Sequence, residues 1–504
     1  MLVVCIHDII WGIFVIWILF HRYVPVDISS LWQYAIMGLI FYFVRLLPLI
    51  IRQRMVLIIL CWGICEALLC LLQHGLWIQS NHSFFDVTGS FNNPGPLGGF
   101  LGILCAGVID YIWRRKDRNT GLVLGSLVAL LFYGILTSES RAGLLSALTG
   151  IIVCLFYQIV LMNRNGHKKR TVITCLVFLF VACIGSLFLY KLKPLSADGR
   201  LFVWFNSLHL MAEHPIVGWG SGGWTGNYML YQADYFAAHP NSQFVMVADN
   251  VSCPYNELLH IAVDYGLIGL FLFMWAVIEI LRKRQSDCFL ESVKVSLLAF
   301  LVFSLFSYPF DVTHLLVLWA ILMGLLESRS VIQIPLSKLR CRILSIIPVI
   351  MLSIISAFLY ELHQRSLCDF KLYPYFQYNP DIMYLHVQKE YLDEEFMHRS
   401  KILERTAFLF PSSDTYCWLG DDWMKKGNSR KAEYYFHKAA DMVPVRIEPC
   451  YKLFKLHLSE GDSVAAVCIG KDVLKKKIKV GNTRSLRMRG EINRFLQKIP
   501  QSGQ

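Results

Sequence analysis

Long, nearly uninterrupted apolar runs recur along this chain. Each is about the 17–25 residues that a helix needs to cross ~30 Å of hydrocarbon. In hydrocarbon every backbone polar group must find its partner within the protein, so helices are the expected form. Eleven spans are expected, at 3–21, 31–50, 55–73, 95–113, 121–137, 143–162, 171–190, 265–281, 292–308, 311–327 and 343–360. Composition agrees: 55% of the 504 residues are hydrophobic and 17% charged, against about a quarter charged in soluble domains. The first run lacks a basic leader and a small-residue cleavage site, and reads as a retained helix rather than a signal peptide.

The net charge of +12 sits largely in short clusters between apolar runs, which excludes nucleic acid as its reason. Arg52 and Arg54, then Arg114–Arg118, Arg164–Arg170, Arg282–Arg284 and Lys338–Arg342 alternate with loops poor in Lys and Arg. The positive-inside rule places those clusters in the cytoplasm. The amino terminus is then cytoplasmic, and the long segment 191–264 and everything after 360 lie outside. Four regions result: spans 1–7 over 1–190, a large outer loop over 191–264, spans 8–11 over 265–360 and a soluble helical domain over 361–504. Most of the 15 cysteines lie inside apolar runs, where they act as small hydrophobes, and no paired CxxC spacing suggests a zinc or redox site. Glu66 and Arg45 interrupt spans. They are expected to neutralise each other between adjacent helices, or else to line a path for a carrier lipid.

After 360 the composition becomes that of a soluble helical protein with an internal repeat. Tyr416, Leu419, Gly420, Trp423, Gly427, Ala432, Phe436, Ala439 and Pro444 fall on the tetratricopeptide pattern, and Gly427 and Ala432 recur 34 residues later as Gly461 and Ala466. Such units stack into an α-solenoid with a concave surface. A protein partner and a purely structural support are both compatible with it.

Polar residues at outer helix ends cluster in four places. Ser140-Arg141 lies in a tight turn between the fifth and sixth spans. A guanidinium held there stays charged and can bind phosphate through two parallel bonds, although an interfacial anchor would use the same residue. Gly199-Arg200 opens an amphipathic stretch that leads to His214-Pro215 and the glycine-rich 218–223. Tyr255-Asn256-Glu257 runs into Gly266-Leu267-Ile268-Gly269, and on a helix Asn256 and His260 share a face. Gly89 to Gly95 precedes the fourth span.

Together these elements resemble the O-antigen ligase and polymerase superfamily over roughly 85–275. Ser140-Arg141 with Leu145 resembles its helix-start element. Arg200, Trp204 and Pro215-x-x-Gly218-x-Gly220 resemble a second element. Asn256 with Gly266-x-x-Gly269 resembles a third, and Phe91-Asn92-Asn93-Pro94 a fourth. The trailing repeats resemble the subgroup of protein O-oligosaccharyltransferases. The resemblance implies an all-α, GT-C-like polytopic bundle in a bacterial inner membrane, with the carboxy-terminal domain periplasmic. It implies transfer of a glycan, with inversion, from a polyprenyl-diphosphate carrier to a hydroxyl of a lipid core, another glycan or a protein, with no cofactor and no metal. Arg141 and Arg200 would hold the diphosphate. Asn256 with Tyr255, His260 or His239 would position or deprotonate the acceptor. Asn93, Ser140, Trp204, Gly218 and Gly220 would contact substrate. The chain departs from the family at Tyr255, where a histidine is usual. A lipid-linked sugar transporter and an inactive scaffold remain as alternatives.

Overall fold

The computed structural model describes residues 2–25, 28–164, 193–334, 399–479 and 481–498, with scattered positions in 169–191 and 347–387. These residues are mostly helical. Helices α1 (Ile6–Phe20), α2 (Ile28–Leu46), α3 (Leu49–His74), α4 (Pro94–Arg115), α5 (Arg118–Thr137) and α6 (Arg141–Arg164) follow one another, through short connections except for the longer one between α3 and α4. α7 (Pro194–Glu213), α8 (Gly223–Ala238), α9 (Glu257–Arg282), α10 (Cys288–Ser304) and α11 (Thr313–Leu325) complete the amino-terminal part. Five stretches, Ile51–His74, Pro94–Arg115, Arg118–Thr137, Arg141–Ile159 and Glu257–Arg282, are long and apolar enough to cross a membrane, and Ile6–Phe20, Ile36–Leu46 and Thr313–Leu325 are shorter apolar helices. The expected spans 171–190 and 343–360 lie largely outside the described residues. One feature departs from an all-helical chain: β1 (Leu2–Cys5) pairs antiparallel with β2 (Ser330–Ile334), Leu2 opposite Ile334.

α4 is the buried axis. Asn93 caps it by accepting the Gly95 N–H at 2.9 Å, and proline sits in its first turn, where a missing N–H costs little. Small residues let it touch α6 backbone to backbone. A Cβ at Gly102 would strike the Gly143 carbonyl, one at Gly143 would strike Gly98, and one at Gly150 would strike Ala106. Close approach of this kind supplies packing where hydrocarbon on all sides removes the hydrophobic drive.

The two intramembrane charges do not neutralise each other. Arg45 is buried against Asp8, 2.8 Å away, beside His7 and the Gly324 and Leu326 carbonyls. Glu66 accepts from the Ser90 N–H at 2.9 Å, the Ser90 hydroxyl and the Trp62 indole. Each finds partners on whichever element packs at its own depth, which a reading of helix neighbours in sequence does not reveal.

The segment 191–264 is largely helical. Its expected boundary at 264/265 is a break inside a longer helix: α9 starts at Glu257, capped by Asn256 at 3.1 Å, and Gly266 leaves helical geometry at φ 65°. The break exists because residues 215–220 cross it. Leu267 and Ile268, whose N–H groups the break frees, donate to the Pro215 and Ile216 carbonyls, while Trp219 and Gly220 donate to those of Val263 and Asp264. A Cβ at Gly218 would collide with the Asp264 backbone, and one at Gly266 with the Ile216 carbonyl. Only glycine meets both that contact and the positive φ.

Beyond 399 run α12 (Arg399–Leu409), α13 (Ser413–Lys425), α14 (Ser429–Met442), α15 (Glu448–Ser459), α16 (Ser463–Lys475) and α17 (Thr483–Lys498). The 34-residue period corresponds to two successive helical hairpins. Gly427 and Gly461 both sit in left-handed turns, Asn428 and Asp462 cap the second helices, and Ala432 and Ala466 are fully buried beneath them. α14 packs on α8, where Gln232 donates to the carbonyls of Met442 and Asp249 and Lys438 pairs with Asp234.

Candidate active site

The turn that ends α5 and opens α6 is strained: Glu139 adopts φ 52°. Its carboxylate holds Lys193 at 2.5 Å, and Arg141 donates to the Lys193 carbonyl at 3.4 Å and the Ser196 hydroxyl at 3.0 Å. The turn is thus tied to the start of α7. Ser196 and Arg200 are one helical turn apart, so Arg200 follows on the same face. Its guanidinium donates to the Phe306 carbonyl at 2.7 Å and lies over the Tyr255 ring, 5.3 Å from the centroid. Burial and then the positive charge of Arg141 pull Arg200 below its ordinary value. The two arginines are therefore within electrostatic reach of each other.

Trp204, one turn beyond Arg200, donates its indole N–H to the Pro254 carbonyl at 2.9 Å and packs on Phe306. That bond fixes the 254–256 turn, in which Tyr255 takes φ 54° and presents its ring to Arg200. A non-glycine residue in this region costs about 1–3 kcal/mol and persists only where its surroundings hold it. Tyr255 also meets Tyr308 edge-on at 5.8 Å. Burial pushes the Tyr255 phenol up to about 12 despite Arg200, and that of Tyr308 also up.

A cavity of about 580 Å³ lies among α1, α2, α9 and α11. Trp11 and Phe14 of α1, Phe41 and Tyr42 of α2 and Trp319 of α11 form its apolar walls. Glu257, His260 and Asp264 of α9 line its polar end together with Asp311. The spacing 257, 260, 264 sets three side chains along one helical face. His260 stands 3.7 Å from Glu257 through Nδ1 and 3.7 Å from Asp264 through Nε2. Glu257 accepts the Phe310 N–H at 3.1 Å. Asp264 accepts the N–H groups of Gly222 and Trp224 at the start of α8, where a negative charge suits the helix dipole. Asp311, exposed to the cavity, accepts no hydrogen bond from the described residues. The surrounding protein and the neighbouring Glu257 raise its carboxyl from 3.8 to about 6. Among the described residues, no group of three or more His, Cys, Asp or Glu side chains is disposed to hold a metal ion.

The structure brings together Arg141, Arg200, Trp204 and Tyr255, while Asn256 caps α9 and His260 lines the cavity. Ser140 donates to the Gly95 carbonyl at 3.0 Å and Asn93 caps α4, so both belong to the α4–α6 junction beside Arg141. Gly218 and Gly220 make the backbone crossing, the latter against Arg22 and Tyr23. His239 is bonded to the Tyr235 carbonyl and stacked on the Tyr235 ring. Asp264, Tyr308 and Asp311 were not singled out from the sequence, and Glu257 was named only within the Tyr255-Asn256-Glu257 cluster, without a role. The i, i+3, i+7 spacing of the α9 groups was a usable signal, whereas Asp311 reaches the cavity only through the fold.

Residues 126–274 match the family model described as O-antigen ligase. The exopolysaccharide production protein ExoQ of Rhizobium meliloti (strain 1021) is 23% identical over 209 residues, which cover 38% of this chain and 46% of that protein. The chain thus aligns with less than half the length of that relative. No solved structure matches it significantly. The matched segment holds both arginines, the Gly218–Gly266 crossing and the His260 face of the cavity, and over it this multi-pass membrane protein is similar to the O-antigen ligase family.

Proposed function

We propose that this protein is an inverting glycan transferase that moves a glycan from a polyprenyl-diphosphate carrier to an acceptor hydroxyl at the outer face of the bacterial inner membrane. The observation that carries the reading is the arginine pair: two guanidinium groups within electrostatic reach, one fixed by Ser196 and the other by Phe306 and Tyr255. Placing like charges together in a partly buried site is unfavourable unless an anion joins them. A diphosphate fits, and it leaves more readily as the charge on its departing oxygen is neutralised. In the proposed step the acceptor oxygen forms a bond to the anomeric carbon. The bond from that carbon to the diphosphate oxygen breaks, and its electron pair leaves with the diphosphate. The acceptor proton passes to the carboxylate of Asp311, oriented within the Glu257–His260–Asp264 cluster. Direct displacement inverts the anomeric centre. No step calls on a metal or cofactor. We read the carboxy-terminal hairpins as tetratricopeptide units that offer a surface to a protein partner.

The test is transfer in vitro, with purified protein and polyprenyl-diphosphate glycan. Arg141→Ala and Arg200→Ala should each lower the rate about 100-fold or more. Lysine at either position should restore only part of it, because a point charge lacks the guanidinium fork. Full transfer by both alanine proteins would sink the reading.

A further inference from the structure

Positive charge is spread unevenly along the chain. Residues 463–498 carry ten Lys and Arg against two carboxylates, Asp472 and Glu491, a net +8 of the chain's +12. Membrane topology does not account for it. Topogenic charges flank spans closely, and this stretch lies about a hundred residues beyond the last apolar run. Helical geometry gathers the charge. Along α17, Arg484, Arg487, Arg494 and Lys498 fall at i, i+3, i+10 and i+14, one stripe of the helix, with Ile492 buried on another side. Lys471 and Lys475 share an exposed face of α16. Lys471, Lys477, Arg494 and Lys498 pair with no carboxylate among the described residues. Like charges at these spacings weigh against a helix, and an anion laid along them would reverse that cost.

The stripe begins at a pocket. A cavity of about 340 Å³ opens where the start of α15 and the α16–α17 turn meet residues 248–249. Arg446, Lys479 and Arg484 line it and outnumber its two carboxylates, Asp249 and Glu448. Asn482 and Ser485 add an amide and a hydroxyl. A phosphate surface calls for cations alone. Donors and acceptors together suit a ring bearing hydroxyls, and surplus cations suit a ring that also bears a carboxylate. The pocket is near the arginine pair. Val247 packs at the start of α7, 3.7 Å from where a Cβ on Gly199 would stand, and Arg200 is the next residue. Asp249 is within electrostatic reach of Tyr255, on whose ring Arg200 lies.

We propose that this pocket and the basic stripe beyond it hold the glycan of the donor, and that this glycan is acidic, with carboxylates on its sugars. The assignment rests on the transferase reading above, because it names the class of glycan transferred. While Arg141 and Arg200 hold the diphosphate, the chain of sugars reaches past 247–249 into the pocket and along α17. A second point of attachment on the same molecule raises the effective concentration of the anomeric carbon at the reacting end.

The test is equilibrium binding to the full-length protein in phosphatidylcholine nanodiscs, read by fluorescence anisotropy. The probes are end-labelled hexagalacturonate, with one carboxylate per sugar, and neutral maltohexaose of the same length. Hexagalacturonate should bind at least about tenfold more tightly. Lys479→Ala with Arg484→Ala, which removes two pocket cations, should weaken it about tenfold. Arg494→Gln with Lys498→Gln changes exposed positions only and should weaken it about threefold. That variant keeps the proposal testable should the pocket variant fail to fold. Equal affinity for the two chains, or hexagalacturonate binding indifferent to both variants, overturns the proposal. So does hexaglutamate binding as tightly, the mark of a site for acidic peptides. Loss of binding in phosphatidylglycerol nanodiscs also overturns it, because the basic face would then belong to the bilayer. Binding is read without turnover, so it fails separately from the transferase reading. Inactive arginine variants with no preference for the acidic chain defeat this proposal alone, and a preference alongside fully active arginine variants defeats the transferase reading alone.

Discussion

Asp311 faces the cavity with Glu257, His260 and Asp264 around it, and its carboxyl is raised to about 6. The sign follows from that direction. Free in an unfolded chain the carboxyl ionises near 3.8, so between there and about 6 the folded protein holds the extra proton. Over that interval ionisation weighs against folding as pH rises. For transfer the dependence is opposite, because only the ionised form accepts a proton. The rate should fall about tenfold per unit as pH drops below about 6, and Asp311→Asn should lower the plateau and flatten that limb in a pH–rate profile. Tyr255 makes a contrasting case. With its phenol near 12 it is protonated at neutral pH and serves by its ring. Tyr255→Phe should therefore keep transfer within about twofold, while Tyr255→Ala loses the face on which Arg200 rests and about tenfold in rate. Arg141 and Arg200 could be named from the sequence because guanidinium groups stand out in outer segments otherwise poor in Lys and Arg. Asp311 was not. An aspartate after Pro309-Phe310 looks like any solvated loop residue until packing sets it opposite a helix numbered some fifty residues earlier.

The break at Gly266 shows how an element's shape is set from outside it. The apolar run was readable, and so was a boundary near 264/265. The continuous helix on either side of that boundary was not, because the hydrogen bonds that stabilise the break come from 215–220. Two glycines separate the effects of backbone conformation and contact. Gly218→Ala adds a methyl group into the Asp264 backbone at φ +80° and should cost about 3 kcal/mol or more. Gly427→Ala, at φ +75° with nothing within 4 Å, should cost only about 1–2 kcal/mol. Thermal unfolding of the two proteins in nanodiscs, followed by circular dichroism, measures the difference. The five long apolar helices were readable for a simpler reason: a helix in hydrocarbon advertises itself by what it excludes. The partners of Arg45 and Glu66 were hidden because charge pairing depends on which helices meet and at what depth.

Across the whole molecule, the carboxy-terminal hairpins are joined to the 191–264 segment by polar contacts. Gln232 reaches Met442, Asn250 reaches Asp414, and Arg446 pairs with both Asp414 and Asp249. Gln232 is fully buried, and Gln232→Ala leaves two carbonyls without a donor, a loss of about 1–3 kcal/mol. Limited proteolysis should then release the carboxy-terminal helices sooner, whereas Arg446→Ala, at a half-buried pair, should shift release much less. The pairing of Leu2–Cys5 with Ser330–Ile334 bears on the timing of synthesis. α1 is docked by nearly the last part of the amino-terminal half, more than three hundred residues later. During translation α1 must wait beside the insertion machinery with one flank unpartnered. A ribosome stalled before codon 330 would therefore hold a protein with its arginines already made and the strand that secures the start of α1 still missing.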